Sequence, residues 1–413
     1  MRARSNGLWA DADFRRLWGS DTVALVGLNA TQLALPLTAV GLGAGAREVG
    51  LLTALQTLPA LVLGLLVGAW VDRRRRRPLL VGANLARAAL LGAVPLAAHL
   101  GLLGLPLLYL VAGLGGAAGL VFVVAYQAYM PGVVPRERLV AGNGALRASE
   151  AAAQLVGPAL GGLLVPLLGA ATTVGAGGLA ALAAALALRT LRTAEPSPAP
   201  DAAATPVGRA IVDGLRHVRG DPTLRPLLLG TTAGAVCANV PTGIFLVYAA
   251  RDLVIPAGAL GLVVGAAGPT ALVGALLAGR VARRAGPGMT LVGAATLRAA
   301  ACLLLPLAGG PLPVALATLL GWRALAGLAE AVGGVTSLAL VQAATPPALR
   351  GRVNAIVRVG GWGAIAAGSL LGGVAGEALG LRPALALAAA GMLVAAGWLA
   401  RSPVRALRAD DQQ

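Results

Sequence analysis

The chain has 413 residues, of which 57% are hydrophobic and only 12% are charged. Soluble domains carry about 25% charged residues, so this composition excludes an ordinary soluble protein and indicates one that crosses a membrane many times. All 33 basic residues are arginines, which excludes a Schiff-base lysine and a P-loop lysine. The net charge of +17 does not indicate nucleic-acid binding, because the arginines cluster in alternate loops between apolar segments.

Apolar segments of about 20 residues, the length of a membrane-spanning helix, recur along the chain. Twelve are predicted, near 17–42, 49–71, 78–100, 103–130, 142–167, 170–190, 226–250, 258–281, 288–309, 312–342, 353–376 and 383–400. A membrane β-barrel would instead show alternating segments of about 10 residues. The predicted fold class is therefore an all-α membrane protein with twelve transmembrane helices.

One long polar break, rich in Pro, Ala and Thr, divides these segments into two groups of six. The predicted domains are an N-terminal six-helix bundle over 1–190, a cytoplasmic linker over 191–225 and a C-terminal six-helix bundle over 226–413. Within the linker, Val207, Ile211, Leu215 and Val218 recur at helical spacing. They predict an amphipathic helix that lies at the membrane interface.

The arginines fix the predicted orientation. Counted in alternate loops, 25 arginines fall on one side of the twelve segments, whereas Arg47, Arg251 and Arg382 are the three on the other side. Positively charged loops stay in the cytoplasm. The sequence therefore predicts a multi-pass protein of the plasma membrane (the bacterial inner membrane) with both termini cytoplasmic.

The two groups of six segments also repeat each other in sequence. A single offset of 211 residues aligns Gly68 with Gly279, Arg73 with Arg284, Arg87 with Arg298, Pro135 with Pro346, Asn143 with Asn354 and Arg147 with Arg358. Parallel repeats of this kind are typical of one large class of secondary transporter. The repeat predicts two pseudo-symmetric halves.

Two motifs name a family. The segment from Gly68 to Arg77 resembles the loop signature G-x-L-A-D-R-x-G-R-K of the major facilitator superfamily, and departs from it at Trp70 and Arg75. Gly157, Pro158, Gly161 and Gly162 resemble the fifth-span motif of its exporters; in the second half the glycines remain and Ser369 replaces the proline. The segment Phe14–Trp18 with Arg87 and Arg147 is most similar to bacterial macrolide-efflux and siderophore-export members, which are drug:proton antiporters.

The resemblance implies that the two halves rock about a midplane site and export drug-like or siderophore-like small molecules in exchange for protons. It also implies a monomer in the lipid bilayer that uses no cofactor and no metal. An importer or a lipid transporter of the same fold is the alternative. A membrane receptor or enzyme is less supported, because the chain has neither G-x-S-x-G nor H-E-x-x-H.

By the same resemblance, Gly68, Asp72, Arg73 and Arg76 form a conformational latch. Asp72 would pair with a nearby arginine, best with Arg76, and face the positive N-terminal end of span eleven. The alternative is a solvated loop acid that offsets local positive charge.

Glu330 and Arg323 are charges deep within span ten, seven residues apart on one helix face. A charge at this depth costs at least about 2.5 kcal/mol, so the two should pair or line a water-filled cavity. Glu330 is therefore a proton-coupling candidate, with a structural salt bridge as the alternative. Glu150 is a second candidate, although Arg147 at i−3 could neutralise it. Asp21 is placed near the cytoplasmic end of span one, as an interface residue.

The resemblance implies that spans one, four, seven and ten line the central cavity. Their mid-depth polar or aromatic residues, the substrate-cavity candidates, are Asn29, Gln32, Phe122, Tyr126, Gln127, Asn239 and Arg323. The amides could equally form hydrogen bonds between helices, worth about 0.6 kcal/mol each. Few charges and many apolar walls favour a bulky amphipathic or lipophilic substrate.

Overall fold

The computed structural model of the chain describes residues 8–134, 138–191, 215–347 and 349–407. Twelve helical stretches in these ranges are long and apolar enough to cross a membrane, which confirms the predicted number. We number them α1 (Ala12–Gly41), α2 (Ala46–Asp72), α3 (Arg76–His99), α4 (Leu105–Val133), α5 (Leu139–Leu168), α6 (Ala170–Arg189), α7 (Leu224–Val247, continued by the π-helix Tyr248–Asp252), α8 (Ala257–Gly265 and Ala267–Ala285), α9 (Pro287–Cys302 and Leu304–Leu307), α10 (Leu312–Ala344), α11 (Arg350–Leu379) and α12 (Leu381–Arg401).

Most of the predicted linker, including Val207 and Ile211, lies outside the described residues. Residues 215–220 are helical, and Val218 is buried in a cluster with Leu291 of α9 and Leu340 of α10. The described end of the linker therefore packs against the second group of helices. The domain boundaries stay a prediction.

The first helix begins five residues earlier than the sequence predicted. Asp11 caps it, because its Oδ1 accepts hydrogen bonds from the backbone N–H groups of Asp13 (2.8 Å) and Phe14 (3.1 Å). These are N–H groups that a helix start leaves without partners. At 1.5 Å per residue, Asp21 stands about 14 Å beyond the first residue of α1. Asp21 is 6% exposed and therefore lies inside the protein rather than in the solvent; its place at the membrane interface stays a prediction.

The repeat extends to the backbone of the turns. A single glycine separates α5 from α6, and a single glycine separates α11 from α12. Gly169 has φ 84° and ψ 154°, and Gly380, 211 residues later, has φ 91° and ψ 159°. This conformation is open essentially to glycine alone. Each half therefore makes the same turn, from the same residue type and for the same steric reason.

We call α1–α6 the N-terminal half and α7–α12 the C-terminal half. In the N-terminal half α1 packs on α5 and α6, and α3 packs on α4 and α6; in the C-terminal half α7 packs on α11 and α12, and α9 packs on α10 and α12. The halves meet along two seams, α2 against α11 and α5 against α8. This arrangement is the all-α, pseudo-symmetric fold that the sequence predicted.

The seams are tight at one end of the bundle. A Cβ added to Gly50 of α2 would stand 2.6 Å from the Ser369 oxygen of α11, and one added to Gly162 of α5 would stand 2.6 Å from the Ala257 oxygen of α8. Real Cβ atoms do not approach backbone oxygens this closely, so only glycine lets these helices touch. We call this end the glycine-sealed end.

The other end, where Arg73–Arg75 join α2 to α3 and Gly286 joins α8 to α9, is the arginine-rich end. Gly64 of α2 still touches Trp362 of α11, but Gly68, one turn further, has no atom within 4 Å of an added Cβ. Along α8, Gly268 touches α5, whereas Gly279 on the same face meets only the side chain of Arg283 on its own helix. The halves therefore separate toward the arginine-rich end.

Candidate substrate cavity

A cavity of about 660 Å³ occupies the inner face of the N-terminal half. Its walls come from α1, α2, α3, α4 and α5, and they are mostly apolar. The polar and charged lining residues are Asp21, Thr31, Gln32, Gln56, Thr57, Arg87, Tyr126, Gln127, Asn143, Arg147 and Glu150. Pro131 and Asn143 extend the lining to the last turn of α4 and the first of α5, at the arginine-rich end.

Four of the seven predicted cavity residues line this space, namely Gln32, Phe122, Tyr126 and Gln127. The rings of Phe122 and Tyr126 lie one turn apart on α4, with centroids 5.7 Å apart and planes tilted by 30°. Both are buried, so they form a firm aromatic wall. Such a wall suits the apolar body of a ligand, while the two amides can accept or donate hydrogen bonds to its polar groups.

The two predicted asparagines are not among the lining residues of this cavity. Asn29 of α1 donates a hydrogen bond to the Leu25 carbonyl (2.8 Å), and Asn239 of α7 donates one to the Ala235 carbonyl (2.8 Å). Their Cβ atoms lie against Gly157 of α5 and Gly368 of α11, respectively. The two asparagines thus occupy matching places in the two halves, at the crossings of α1 with α5 and of α7 with α11.

Arg323 also lies outside the lining of the large cavity. Its guanidinium stands over the Trp322 ring at 5.5 Å, and Trp322 in turn packs on Phe245 of α7, with ring centroids 5.1 Å apart. A cation over an indole face is attracted by the ring quadrupole. The structure thus places Arg323 against an aromatic cluster between α7 and α10.

Glu330 pairs with Arg298 of α9 at 3.2 Å, rather than with Arg323. Both residues line a second cavity of about 270 Å³, enclosed by α7, α9, α10 and α12. The Glu330 side chain is 61% exposed and that of Arg298 is 26% exposed. Arg298 was found in the sequence only as the repeat partner of Arg87.

Glu150 is paired on its own helix. Arg147 donates a hydrogen bond to its Oε2 at 2.7 Å, and the side chains are 80% and 40% exposed, respectively. Sequence spacing predicted this i−3 contact. Both residues line the large cavity.

Sequence reasoning missed the most buried charges of the cavity, Asp21 and Arg87. They are 6% and 5% exposed, line the cavity from α1 and α3, and lie close enough to interact electrostatically. The Tyr126 hydroxyl lies within electrostatic reach of Asp21 but has no hydrogen-bond partner within 3.5 Å among the described residues. The sequence did single out Arg87, because it recurs as Arg298 in the second half. It did not single out Asp21, because the predicted start of the first span was five residues too late and left Asp21 near the end of that span.

The fifth-span motif contacts both of its neighbouring helices. Gly157 and Gly161 lie against Asn29 and Ala30 of α1, within the N-terminal half. Pro158 and Gly162 lie on the adjacent face, against Gly261 of α8, across the seam. One glycine-rich helix thus packs on a helix of its own half and on one of the other half, at the glycine-sealed end.

The predicted latch residues lie at the arginine-rich end, where the halves are apart. Asp72 and Arg73 are exposed, and Arg76 is half-buried in the first turn of α3. No ion pair joins Asp72 to another residue in the described ranges. The role of these residues as a latch stays a prediction.

Comparison with known proteins agrees with this architecture. The multidrug efflux pump Tap of Mycolicibacterium fortuitum is 30% identical over 227 residues, which cover 53% of this chain and 54% of Tap. The chain thus spans about half the length of the curated relative it matches. The nucleoside transporter NupG superposes with a TM-score of 0.75 at 15% identity, over 94% of this chain and 98% of NupG.

A bacterial homologue of the iron transporter ferroportin superposes in two states. The inward-facing structure gives a TM-score of 0.73 at 16% identity, over 94% of this chain and 97% of the homologue. The outward-facing structure gives 0.58 at 18% identity, over 94% and 98%. The sequence profile of the transmembrane secretion effectors matches residues 8–413. With twelve apolar helices in two repeated halves, the chain belongs to the transmembrane secretion effector family of major facilitator superfamily transporters.

Proposed function

We propose that this transporter exports drug-like or siderophore-like small molecules across the plasma membrane, in exchange for protons, by alternating access. It works as a monomer, with the arginine-rich end and both termini in the cytoplasm. The observation on which the proposal rests is the cavity of the N-terminal half, which reaches the arginine-rich end while glycine contacts seal the other end. A substrate would enter such a cavity from the cytoplasm.

The lining supports an amphipathic substrate. Phe122 and Tyr126 offer an aromatic wall, Gln32 and Gln127 offer amides, and Asp21 and Glu150 bring acids to the same space. The volume of about 660 Å³ falls within the range of drug-sized ligand sites. Proton exchange is proposed through the cavity acids and Glu330, because ionisable groups at bilayer depth mark proton relays.

Three comparisons support export and the state of the molecule. The family is described as one of secretion effectors, and the partial relative Tap is named an efflux pump. The higher TM-score with the inward-facing ferroportin homologue agrees with a cavity that faces the cytoplasm. The transport direction of this chain rests on these likenesses and on the glycine–proline motif of α5.

Ethidium, a fluorescent amphipathic cation, tests export directly. In proteoliposomes with the arginine-rich end outward, we expect a proton gradient, acid inside, to drive ethidium into the vesicles, because this geometry matches export from a cell. A protonophore should abolish the accumulation. The orientation is checked by protease access to the exposed Arg73–Arg75 turn.

A siderophore and a fluorescent phospholipid serve as parallel probes in the same vesicles. Movement of the phospholipid alone would favour the lipid transporter of the same fold. Transport only under the opposite gradient would favour an importer. Ethidium flux that does not respond to the proton gradient would remove proton antiport from the proposal.

A further inference from the structure

We propose that Asp21 is the carboxylate that binds and releases the transported proton, and that Arg87 is the positioning residue that holds its charged form. The inference rests on the proposed function, since it assigns the residue of proton exchange. The step is a simple protonation. A proton adds to a carboxylate oxygen of Asp21 from the acidic side and leaves from the same oxygen to water in the cavity at the arginine-rich end; no other bond changes.

Among the described residues, three carboxylates line the two cavities, and their surroundings differ. Glu150 lies 2.7 Å from Arg147 and is 40% exposed, and Glu330 lies 3.2 Å from Arg298 and is 61% exposed. Each therefore has a cation in direct contact and access to water.

Asp21 meets neither condition. It is 6% exposed, and within the described part of the chain no cation lies within 4.0 Å of it; the donor directed toward it is the Tyr126 hydroxyl of α4. Burying a charged carboxylate that has no cation in direct contact costs much free energy, whereas burying its neutral form costs far less. Its charge is therefore the one that a change of hydration can switch.

Arg87 stabilises the charged form of Asp21 electrostatically. Its guanidinium is 5% exposed, lines the same cavity and interacts electrostatically with Asp21 from α3. Arginine keeps its charge in proteins, so Arg87 always favours the ionised carboxylate across the gap. The two charges are more than 4.0 Å apart, so this influence acts without direct contact.

The remaining groups that face Asp21 complete the balance. Glu150 of α5 repels the charged form of Asp21, although its ion pair with Arg147 weakens this repulsion. The hydroxyl of Tyr126 on α4 is directed toward the Asp21 carboxylate. The part of α6 that packs on α1, from Ala170 to Leu188, has no ionisable side chain. Asp21 and Arg87 thus form the one opposed pair, buried and without direct contact, among the described charges of this half.

The location of the pair links protonation to substrate. Asp21 and Tyr126 line the same cavity wall as Phe122 and Gln127. An amphipathic substrate on this wall displaces water from around Asp21, and losing that water makes the charged form more costly. Substrate and proton thereby influence each other through one residue.

Dicyclohexylcarbodiimide, an apolar reagent for protonated carboxyls, tests this in the full-length protein in liposomes. We expect mass spectrometry to find the label on the peptide that contains Asp21 at acidic pH, with the label disappearing as the pH rises. In Arg87→Gln the labelling should persist to higher pH, because the cation that favours the carboxylate is gone. A labelling profile of Asp21 that Arg87→Gln leaves unchanged would overturn the role of Arg87. Absence of label on Asp21 throughout, with label on Glu150 or Glu330, would overturn the proposal.

Transport separates this inference from the proposed function. In Asp21→Asn we expect ethidium still to bind and to equilibrate across the vesicle membrane, while its accumulation no longer responds to the proton gradient. Asp252→Asn, an exposed acid at the glycine-sealed end that lines neither cavity, is the control and should keep its response. If wild type itself ignores the gradient, the proposed antiport fails. If wild type responds and Asp21→Asn responds equally, only the assignment to Asp21 fails.

Discussion

Asp72 ends α2 with an exposed side chain, in the conformation in which the arginine-rich ends of the halves stand apart. A latch that closes this end should contain an acid that waits without an ion pair while the end is open. Span eleven begins at Arg350, and the N-terminus of a helix attracts negative charge. We therefore expect Asp72 to form an ion pair or helix-terminus contact only when the arginine-rich end closes.

We expect Asp72→Asn to leave ethidium affinity unchanged and to slow exchange by roughly fivefold, the effect of losing one acid at a helix N-terminus. Binding titrations and counterflow rates in proteoliposomes measure the two quantities. Asp252→Asn, an exposed acid at the other end of the bundle, is the control. Equal exchange rates for Asp72→Asn and wild type would show that Asp72 is only a loop acid.

Glycine seams decide how the helices of the two halves meet. Where α5 crosses α8, the nearest neighbours of Gly162 are backbone atoms of Ala257, Gly258 and Gly261, which cannot rotate away as a side chain could. Helices in lipid associate through such close backbone approach rather than through a hydrophobic force. We therefore expect the seam between α5 and α8 not only to join the halves but also to control access to the cavity from the glycine-sealed end.

We expect Gly162→Ala to destabilise the closed seam by about 1–3 kcal/mol, the usual cost of overpacking. The protein should then open at the glycine-sealed end, seen as faster labelling of a cysteine placed at Ala46, which is buried at the start of α2 against α11. Gly144→Ala on the same helix is the matched control, because an added Cβ there has no neighbour within 4 Å. Similar labelling rates in both variants would mean that the seam does not gate access.

At the scale of the whole molecule, two rigid halves joined only at seams should rock rather than deform. Closing the arginine-rich end should then open the glycine-sealed end, since the halves turn against each other at the two seams. The pseudo-symmetry is not complete, because the cavity acids Asp21 and Glu330 lie on helices that do not correspond in the two halves. Asp21 lies on the first helix of its half, and Glu330 on the fourth of its half.

Distances between spin labels test the rocking motion. Cys237 and Cys302 are first replaced by alanine, and labels are placed at Arg74 and Arg284 in one protein and at Leu42 and Val254 in another. We expect acidification with ethidium to shorten the first distance and lengthen the second, because Asp21 becomes neutral and the cavity can close. Distances that change at one end alone would contradict a rigid-body motion.

Much of the architecture followed from local pattern. Apolar length gave all twelve helices, and the offset of 211 residues gave the two halves, down to the paired turns at Gly169 and Gly380. The i−3 spacing of Arg147 and Glu150 gave their ion pair. These features depend on helix geometry and on residue chemistry within one or two turns, which the order of residues specifies directly.

Partners on different helices were another matter. Seven residues of spacing suggested Arg323 for Glu330, yet the crossing of α9 and α10 brings Arg298 to it and leaves Arg323 on Trp322. The start of α1 was predicted five residues too late, which put Asp21 near the end of the span, whereas the folded helices bury it in the cavity that Arg87 of α3 also lines. Hydrophobic spacing determines that a helix exists and how long it is, whereas its rotation about its own axis is set by its neighbours. That rotation decides which charge meets which, and only the folded structure contains it.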